Sequence, residues 1–266
     1  MVDRRRLGEG REAEIYEWDD GTVLRLFRDP AARSRIDGEV VAMRTAAASG
    51  IPVPAIVDVV TVEGRPGIVM TRVDGMDGIT MLGRRPWTLV PLARRLGDLQ
   101  ARIHGVTSSS EIPALRVRVR ERIEAATPLS PDLAAHALRT LDTLPDGDAV
   151  CHGDFHPGNV LLGRDGPTII DWTNATRGDP SADVARTRLM LSFGAAPPGS
   201  PLLFRMLDRY GRLGFTALYW RAYARRRGID EPLVARWMAV RAADRLAEGI
   251  TEEEPILLAI VERSAG

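Results

Sequence analysis

The sequence predicts an α+β chain in two unequal parts: a small antiparallel sheet carrying one helix, then a larger, mostly helical part. Three observations predict it. Short alternating apolar runs separated by turn residues fill residues 13–72, the pattern of strands with one buried face. From residue 89 onward, apolar residues recur mainly at helical spacing. A single β-like island, residues 149–172, interrupts the helices. With 266 residues, 44% of them hydrophobic, the chain has enough apolar side chains for one or two domains with real cores.

Taken in order, residues 13–18 alternate, Asp19-Asp20-Gly21 turns, and residues 22–27 alternate again, so the Asp-Gly pair marks a hairpin. Residues 31–48 have helical composition and stop at Ser49-Gly50. Ile51-Pro52-Val53-Pro54 cannot extend that helix, because proline lacks an N–H and disfavours helical geometry in the residue before it. Strands are expected at 55–62 and 67–72, around a Glu63-Gly64-Arg65 turn. The turn-rich Val73-Asp74-Gly75-Met76-Asp77-Gly78 sets the boundary between a first part, residues 1–72, and a second, residues 73–266. Helices are then expected at 89–105, 114–126, 130–143, 201–227, 231–248 and 252–263, with a loop at 195–201.

The 36 basic and 36 acidic residues cancel, which gives no electrostatic case for nucleic acid or an anionic membrane as partner. Every basic side chain is arginine; there is no lysine. Cys151 stands alone, so no internal disulfide and no zinc spacing is available, and it reads as a small core residue. The charged Met1-Val2-Asp3-Arg4-Arg5-Arg6 is followed by no apolar stretch, and no run approaches the roughly 20 apolar residues of a membrane span. A cytoplasmic protein, monomer or weak dimer, is expected.

The chemistry sits in the island. Val160-Leu161-Leu162 and Thr168-Ile169-Ile170 read as short strands around Gly163-Arg164-Asp165-Gly166, and as a hairpin they bring Asn159 and Asp171 to one open end. An amide oxygen and a carboxylate without Cys or His suit Mg²⁺, which keeps waters and takes phosphates as further ligands. Asp154 lies five residues before Asn159, in a loop tightened by Gly153 and Pro157-Gly158. An ordinary Asp, titrating near ~3.9, is a weak base for an alcohol. It can still orient a hydroxyl and accept its proton late in a loose phosphoryl-transfer transition state.

The run His152-Gly153-Asp154-Phe155-His156-Pro157-Gly158-Asn159, with Ile169-Ile170-Asp171 after a short hairpin, resembles the aminoglycoside phosphotransferase family, which has a protein-kinase-like fold. The resemblance covers most of the chain. It implies a two-lobed fold with a sheet-bearing N-lobe and a larger helical C-lobe, Asp154 as catalytic Asp, Asn159 and Asp171 as Mg²⁺ ligands, and His152 as a structural histidine. His156 is expected to hydrogen-bond the loop.

Leu7-Gly8-Glu9-Gly10-Arg11-Glu12-Ala13 resembles a kinase glycine-rich loop, with Gly8 and Gly10 letting backbone approach phosphate and Ala13 near the place of a third glycine. The kinase pattern wants lysine on the third strand; here Arg25 stands there, a planar and bulkier group that does not replace lysine freely. Glu39 on the next helix is its expected partner, and Val23, on the same strand face, would touch adenine. By the same resemblance Met70 flanks the adenine and the backbone from Thr71 to Val73 bonds its edge. ATP is the default nucleotide, and GTP is an alternative.

After Asp171 comes Trp172-Thr173-Asn174, where a protein kinase would have Phe-Gly and a long segment ending in Ala-Pro-Glu. Their absence points to a small-molecule acceptor. Asp183 is expected to brace the catalytic loop. An aminoglycoside is a polycation, so carboxylates should line its site. The tail offers Asp244, Glu248, Glu252, Glu253 and Glu254, of which Glu248 and Glu252, with Trp172, are the substrate candidates. Against this, Thr251 and Glu254 have capping-box spacing, and Arg221, Arg225, Arg226 and Arg227 would repel a polycation if they faced the cleft. Trp220 and Trp237 read as core. The expected activity is Mg²⁺-dependent transfer of the γ-phosphoryl group of ATP or GTP to a hydroxyl of an aminoglycoside-like antibiotic or related metabolite. The alternatives are a catalytically impaired nucleotide-binding module, motivated by Arg25, and a kinase of a sugar or amino alcohol such as choline or homoserine.

Overall fold

The computed structural model describes residues 4–10, 12–194, 202–228 and 230–266, so the loop expected at 195–201 lies outside the described residues. Strands β1 (Arg6–Glu9), β2 (Ala13–Glu17), β3 (Thr22–Phe27), β4 (Ile56–Val62) and β5 (Arg65–Thr71) form one antiparallel sheet in the order β1-β2-β3-β5-β4. Gly21, at φ +70°, makes the β2–β3 turn, where Thr22 N–H donates to Asp19 O at 3.0 Å. The sequence does not predict β1 itself, but the glycine-rich stretch does lie at the tip of a β1–β2 hairpin.

Helix α1 (Arg33–Ala48) divides its buried residues between two cores. Ile36 and Val40 pack with Phe27, Ile68 and Met70 against the sheet, while Ala42, Met43 and Ala46 join a cluster containing Leu92, Leu96 and Phe155. The helix is thus hydrophobic core shared between the sheet and the helical part of the chain.

Past Thr71 the chain makes a short strand β6 (Met76–Asp77) and then helices α2 (Gly78–Arg84), α3 (Leu89–Ile103), α4 (Leu115–Ala125) and α5 (Pro131–Thr143). Next come β7 (Ala149–Cys151), β8 (Val160–Gly163), β9 (Gly166–Ile169) and β10 (Thr176–Gly178), and last α6 (Pro180–Phe193), α7 (Leu202–Arg226), α8 (Glu231–Arg245) and α9 (Glu254–Ala265). β6, β8 and β9 make a three-stranded sheet, and β7 pairs with β10. α3 packs closely on α7 because position 97 is glycine: a Cβ there would lie 2.3 Å from Tyr219 O. No helix among the described residues is long and apolar enough to cross a membrane.

α2, α6 and β10 are not expected from the sequence. α6 is buried nearly all round, from Ala182 through Leu191, so no amphipathic stripe marks it. Asp179-Pro180 nonetheless signals its start: Asp179 caps Ser181 N–H at 2.6 Å, and Pro180 occupies the first turn. The capping box expected at Thr251 and Glu254 does not form, since α9 starts at Glu254 behind Glu253 and without a side-chain cap bond. Glu253 instead pairs with Arg245. Trp237 is core as expected, and Cys151 is fully buried, its thiol pushed up by that burial.

Candidate active site

β7 delivers the chain into the loop from His152 to Asn159. Gly153, at φ +78°, passes so near the segment after Asp171 that an added Cβ would sit 2.1 Å from Asn174 O; only glycine fits. The loop is anchored from below by Asp183, which is fully buried in α6. Its carboxylate accepts from Gly153 N–H (2.8 Å), His152 N–H (3.2 Å) and Gln100 Nε2 (2.9 Å), and lies 3.0 Å from His104 Nε2. Burial pushes Asp183 up, yet the His104 and Gln100 bonds outweigh it and hold it below the carboxylate range. The bracing role expected of Asp183 is borne out. So is the structural role of His152: it is buried, its Nδ1 accepts Asp154 N–H at 3.2 Å, and its Nε2 faces Ile170 O at 3.1 Å, which fixes a neutral tautomer with the proton on Nε2.

Asp154 projects from this loop. Arg186 Nη2 lies 3.4 Å from its Oδ1, His156 Nε2 lies 3.6 Å from its Oδ2, and Asn159 Nδ2 donates to its backbone O at 2.8 Å and to Oδ2 at 3.3 Å. Burial opposes ionisation, but His156 and Arg186 overcome it and hold Asp154 well below the usual range. His156 Nδ1 also takes Gly158 N–H at 3.1 Å, the loop bond expected of it.

The β8–β9 hairpin closes as its turn chemistry implies, with Val160 opposite Ile169 and Gly163 opposite Gly166. One rung further, Ile170 N–H donates to Asn159 O at 3.0 Å, which brings Asn159 beside Asp171. Both side-chain bonds of Asn159 use its nitrogen, so its amide oxygen is the atom it can offer a cation. Asp171 has φ +61°, a left-handed conformation uncommon for a residue with a Cβ, and its side chain is 43% exposed.

Arg25 reaches this group from β3. Its Nη1 bonds Glu39 Oε1 at 2.5 Å, and its Nη2 bonds Asp171 Oδ1 and Thr173 Oγ1, each at 2.8 Å. The expected Arg25–Glu39 pair is therefore present. The tie to Asp171 and Thr173 is new. Thr173 Oγ1 lies 2.9 Å from Asp171 Oδ1 and 3.2 Å from Glu39 Oε2, and its one proton serves one of them at a time. Burial lifts the Glu39 carboxyl above its usual value against the pull of Arg25. At Asp171 desolvation also pushes upward, but Arg25 and Thr173 prevail and lower it.

Val23 stands opposite Met70 across β3 and β5, and both join the cluster formed by Ala13, Phe27 and Ile68. The N–H groups of Thr71 and Arg72 are taken by Ala55 O (2.9 Å) and Gly21 O (2.8 Å), and the Thr71 hydroxyl accepts Ala55 N–H at 2.9 Å. Thr71 is thus occupied within the sheet, and Val73, two residues on, is half-buried. Gly8 and Gly10 are exposed at the β1–β2 tip, where nothing crowds Gly8 and Gly10 N–H closes the turn to Ala13 O at 2.8 Å.

A family model described as the phosphotransferase enzyme family matches residues 3–247. The chain belongs to this phosphotransferase family. Its fold is shared with solved members. A thermostable mutant of aminoglycoside phosphotransferase APH(4)-Ia in its apo form is 19% identical, with 100% of this chain and 96% of that one covered at a TM-score of 0.67. Amicoumacin kinase hAmiN in complex with AMP-PNP, Ca²⁺ and Ami is 14% identical, with coverages of 97% and 86% and a TM-score of 0.66. Aminoglycoside-3'-phosphotransferase of type VIII is 22% identical, with coverages of 91% and 93% and a TM-score of 0.64. No curated protein matches the chain.

In this phosphotransferase a pocket of about 310 Å³ opens beside the loop, lined among others by Gly153, Thr173, Asn174, Arg118, Arg122 and Arg186. Glu248, a substrate candidate from the sequence, does lie in the network beside it: Arg186 Nη2 is 2.5 Å and Arg122 Nη2 2.7 Å from its Oε1. Another substrate candidate, Trp172, is corrected. Trp172 is fully buried in the core, its Nε1 donating to Ile169 O at 3.1 Å, because the left-handed turn at Asp171 sends the next side chain inward. Glu252 is exposed in the turn before α9 and is not among the pocket's lining residues. Sequence reasoning misses Thr173, Arg118, Arg122 and Arg186. For Arg186 a signal exists, an arginine three residues after Asp183 in a run otherwise rich in apolar residues. Of the tail arginines, Arg226 and Arg227 line a separate hollow of about 430 Å³ with Ala101 and Arg102, which shares no lining residue with the cleft pocket.

Proposed function

We propose that the chain is a cytoplasmic, Mg²⁺-dependent kinase that transfers the γ-phosphoryl group of ATP, or of GTP, to a hydroxyl of a small molecule. The observation that carries this reading is the meeting of Asn159 and Asp171 at the mouth of the β8–β9 hairpin, with an ionised Asp154 bonded to the same Asn159. The donors fit the metal: an amide oxygen and a half-exposed carboxylate are hard ligands, and waters with phosphate oxygens would complete the shell. Asn159 and Asp171 would hold Mg²⁺, which when bound neutralises charge on the phosphates.

The remaining work falls to the chain's own groups. Asp154, kept ionised by His156 and Arg186, orients the acceptor hydroxyl and receives its proton late in the transfer. Arg25, paired with Glu39, offers its guanidinium to the phosphates. Gly8 and Gly10 let backbone N–H groups approach the phosphates, Val23 and Met70 flank the base, and the linker at Thr71–Val73 meets its edge through Val73. Residues 1–72 then serve the nucleotide, and residues 73–266 supply the loop, the metal ligands and the acceptor site.

The test is a nucleotide-consumption screen against aminoglycosides, macrolides, sugars, amino alcohols and hydroxy acids. Asp154→Ala is expected to lower turnover by about 100-fold or more. Turnover that survives this change would overturn the assignment. A second reading, a nucleotide-binding protein impaired in transfer, is favoured by one observation: Arg25 occupies Asp171 Oδ1, an oxygen the metal would use. Tight binding of Mg²⁺-nucleotide with no turnover of any acceptor would select it.

A further inference from the structure

The buried tail carboxylates nearest the cleft, Asp244, Glu248 and Glu253, are already committed. Glu248 takes Arg186 at 2.5 Å, Arg122 at 2.7 Å and Arg245 at 3.1 Å. Asp244 takes Arg122 together with Arg241 at 3.0 Å, and Glu253 takes Arg245 through both oxygens, at 2.5 and 2.9 Å. An incoming ammonium would have to displace a guanidinium from a buried pair and strand that charge, which is strongly unfavourable.

Arg118 differs from these arginines. It is half-buried on α4, one turn before Arg122, and lines the cleft pocket. Its Nη1 donates to the carbonyl of Thr173 at 3.2 Å, and among the described residues no carboxylate lies within ion-pairing distance of it. Burial and the nearby charges of Arg122 and Arg35 make its protonated form less favourable than usual. A guanidinium cannot relieve this by losing a proton at ordinary pH. Glu121, the neighbouring acid, is exposed, and Glu12 is taken by Arg35 at 3.4 Å. The pocket therefore holds a standing positive charge with spare donors. It sits beside Arg186, whose Nη2 is 3.4 Å from Asp154 Oδ1.

We infer that this pocket takes an acceptor bearing a carboxylate or a phosphate in addition to its hydroxyl, and that Arg118 binds that anionic group. A planar fork suits either anion through paired hydrogen bonds. The inference rests on the kinase reading only for the claim that the occupant is the acceptor; the preference for an anion is a property of the pocket itself.

The test uses one scaffold in four charge states: glycerol, glycerate, glycerol 3-phosphate and 3-amino-1,2-propanediol. Binding of each to the full chain, with Mg²⁺ and a non-hydrolysable nucleotide present, is measured by calorimetry, and transfer is measured separately with ATP. The two anionic probes are expected to bind at least about tenfold more tightly than glycerol. Arg118→Met should erase that margin while leaving nucleotide affinity unchanged, and Arg118→Lys should restore part of it. The margin between glycerate and glycerol 3-phosphate tells which anion is preferred. Equal binding of all four probes, tighter binding of the amine, or a margin that survives Arg118→Met overturns the inference, whatever the turnover. Anion-selective binding without transfer to any acceptor supports the pocket's preference and counts against the kinase reading instead.

Discussion

On the sheet side of the loop, a single guanidinium, Arg25, joins Glu39, Asp171 and Thr173. On the helical side four arginines, Arg122, Arg186, Arg241 and Arg245, share Asp154, Asp244, Glu248 and Glu253. The first network is spare: one cation and two carboxylates. The second is saturated in charge only, four guanidiniums facing four carboxylates, and among the described residues both Asp244 oxygens and the Nε atoms of Arg122, Arg186 and Arg241 have no hydrogen-bond partner. A spare network can rearrange when a new charge arrives, whereas a saturated one holds its geometry because any departure strands a buried charge. Change should therefore be tolerated unequally. The sheet side can exchange partners, and the helical side holds Asp154 through Arg186.

The largest expected effect comes from breaking the sheet-side network at its shared member. Asp171→Ala should lower turnover by about 1,000-fold and abolish Mg²⁺-dependent nucleotide binding, measured by steady-state kinetics and calorimetry. Turnover within tenfold of the parent would show that Asp171 is not the shared oxygen. Next comes the anchor of the loop that lies between them. Asp183→Ala leaves the N–H groups of His152 and Gly153 without an acceptor and removes one of the two acceptors of the Gln100 amide, and should cost about 3 kcal/mol, seen as a fall of roughly 6–12 °C in Tm. An unchanged melting curve would separate the loop from α6.

Arg25→Lys is a subtler probe. One ammonium on a flexible stem cannot reproduce the fork that spans Glu39 and Asp171 together. Turnover should change by no more than about tenfold, with a larger shift in the Mg²⁺ concentration needed for half-maximal binding. Loss beyond 100-fold would mean that this network is as rigid as its neighbour.

The smallest effect is on the saturated side. Burial raises the Glu248 carboxyl, but Arg186, Arg245 and Arg122 bring it from 4.5 down to about 2. Its folded value is therefore the lower one. Its stabilising contribution is complete above pH 4.5 and fades as pH falls from there towards about 2. Glu248→Gln should flatten the pH dependence of unfolding free energy within that window and leave the slope above it unchanged, as read from denaturant titrations. An identical slope in both proteins would detach Glu248 from the arginines.

Legibility in the sequence depends on the range of the interactions. Asn159 meets Asp171 through a short hairpin, and the turn residues and strand lengths that close it lie in one local stretch. Arg25 and Glu39 belong to one sheet-plus-helix unit with a recognisable spacing. The helical network joins α4, α6 and α8, so Arg186 meets Glu248 across 62 positions, and α6 itself carries no stripe to announce it. Trp172 misleads because the residue before it takes a left-handed turn, a backbone event that an aspartate seldom signals. The capping box at Thr251 fails in the reverse way: a correct local spacing yields to the pull of Arg245 on Glu253.

Arg25 stands in a chain that contains no lysine anywhere. The cleft therefore has no side-chain amine, and its cations are guanidiniums that keep their protons at any ordinary pH. Such groups are poor nucleophiles. Acylating nucleotide probes and aldehyde warheads, which label kinases by capturing the lysine of the third strand, would find no atom to attack here. This protein should pass unmodified through reagents designed to catch a third-strand lysine.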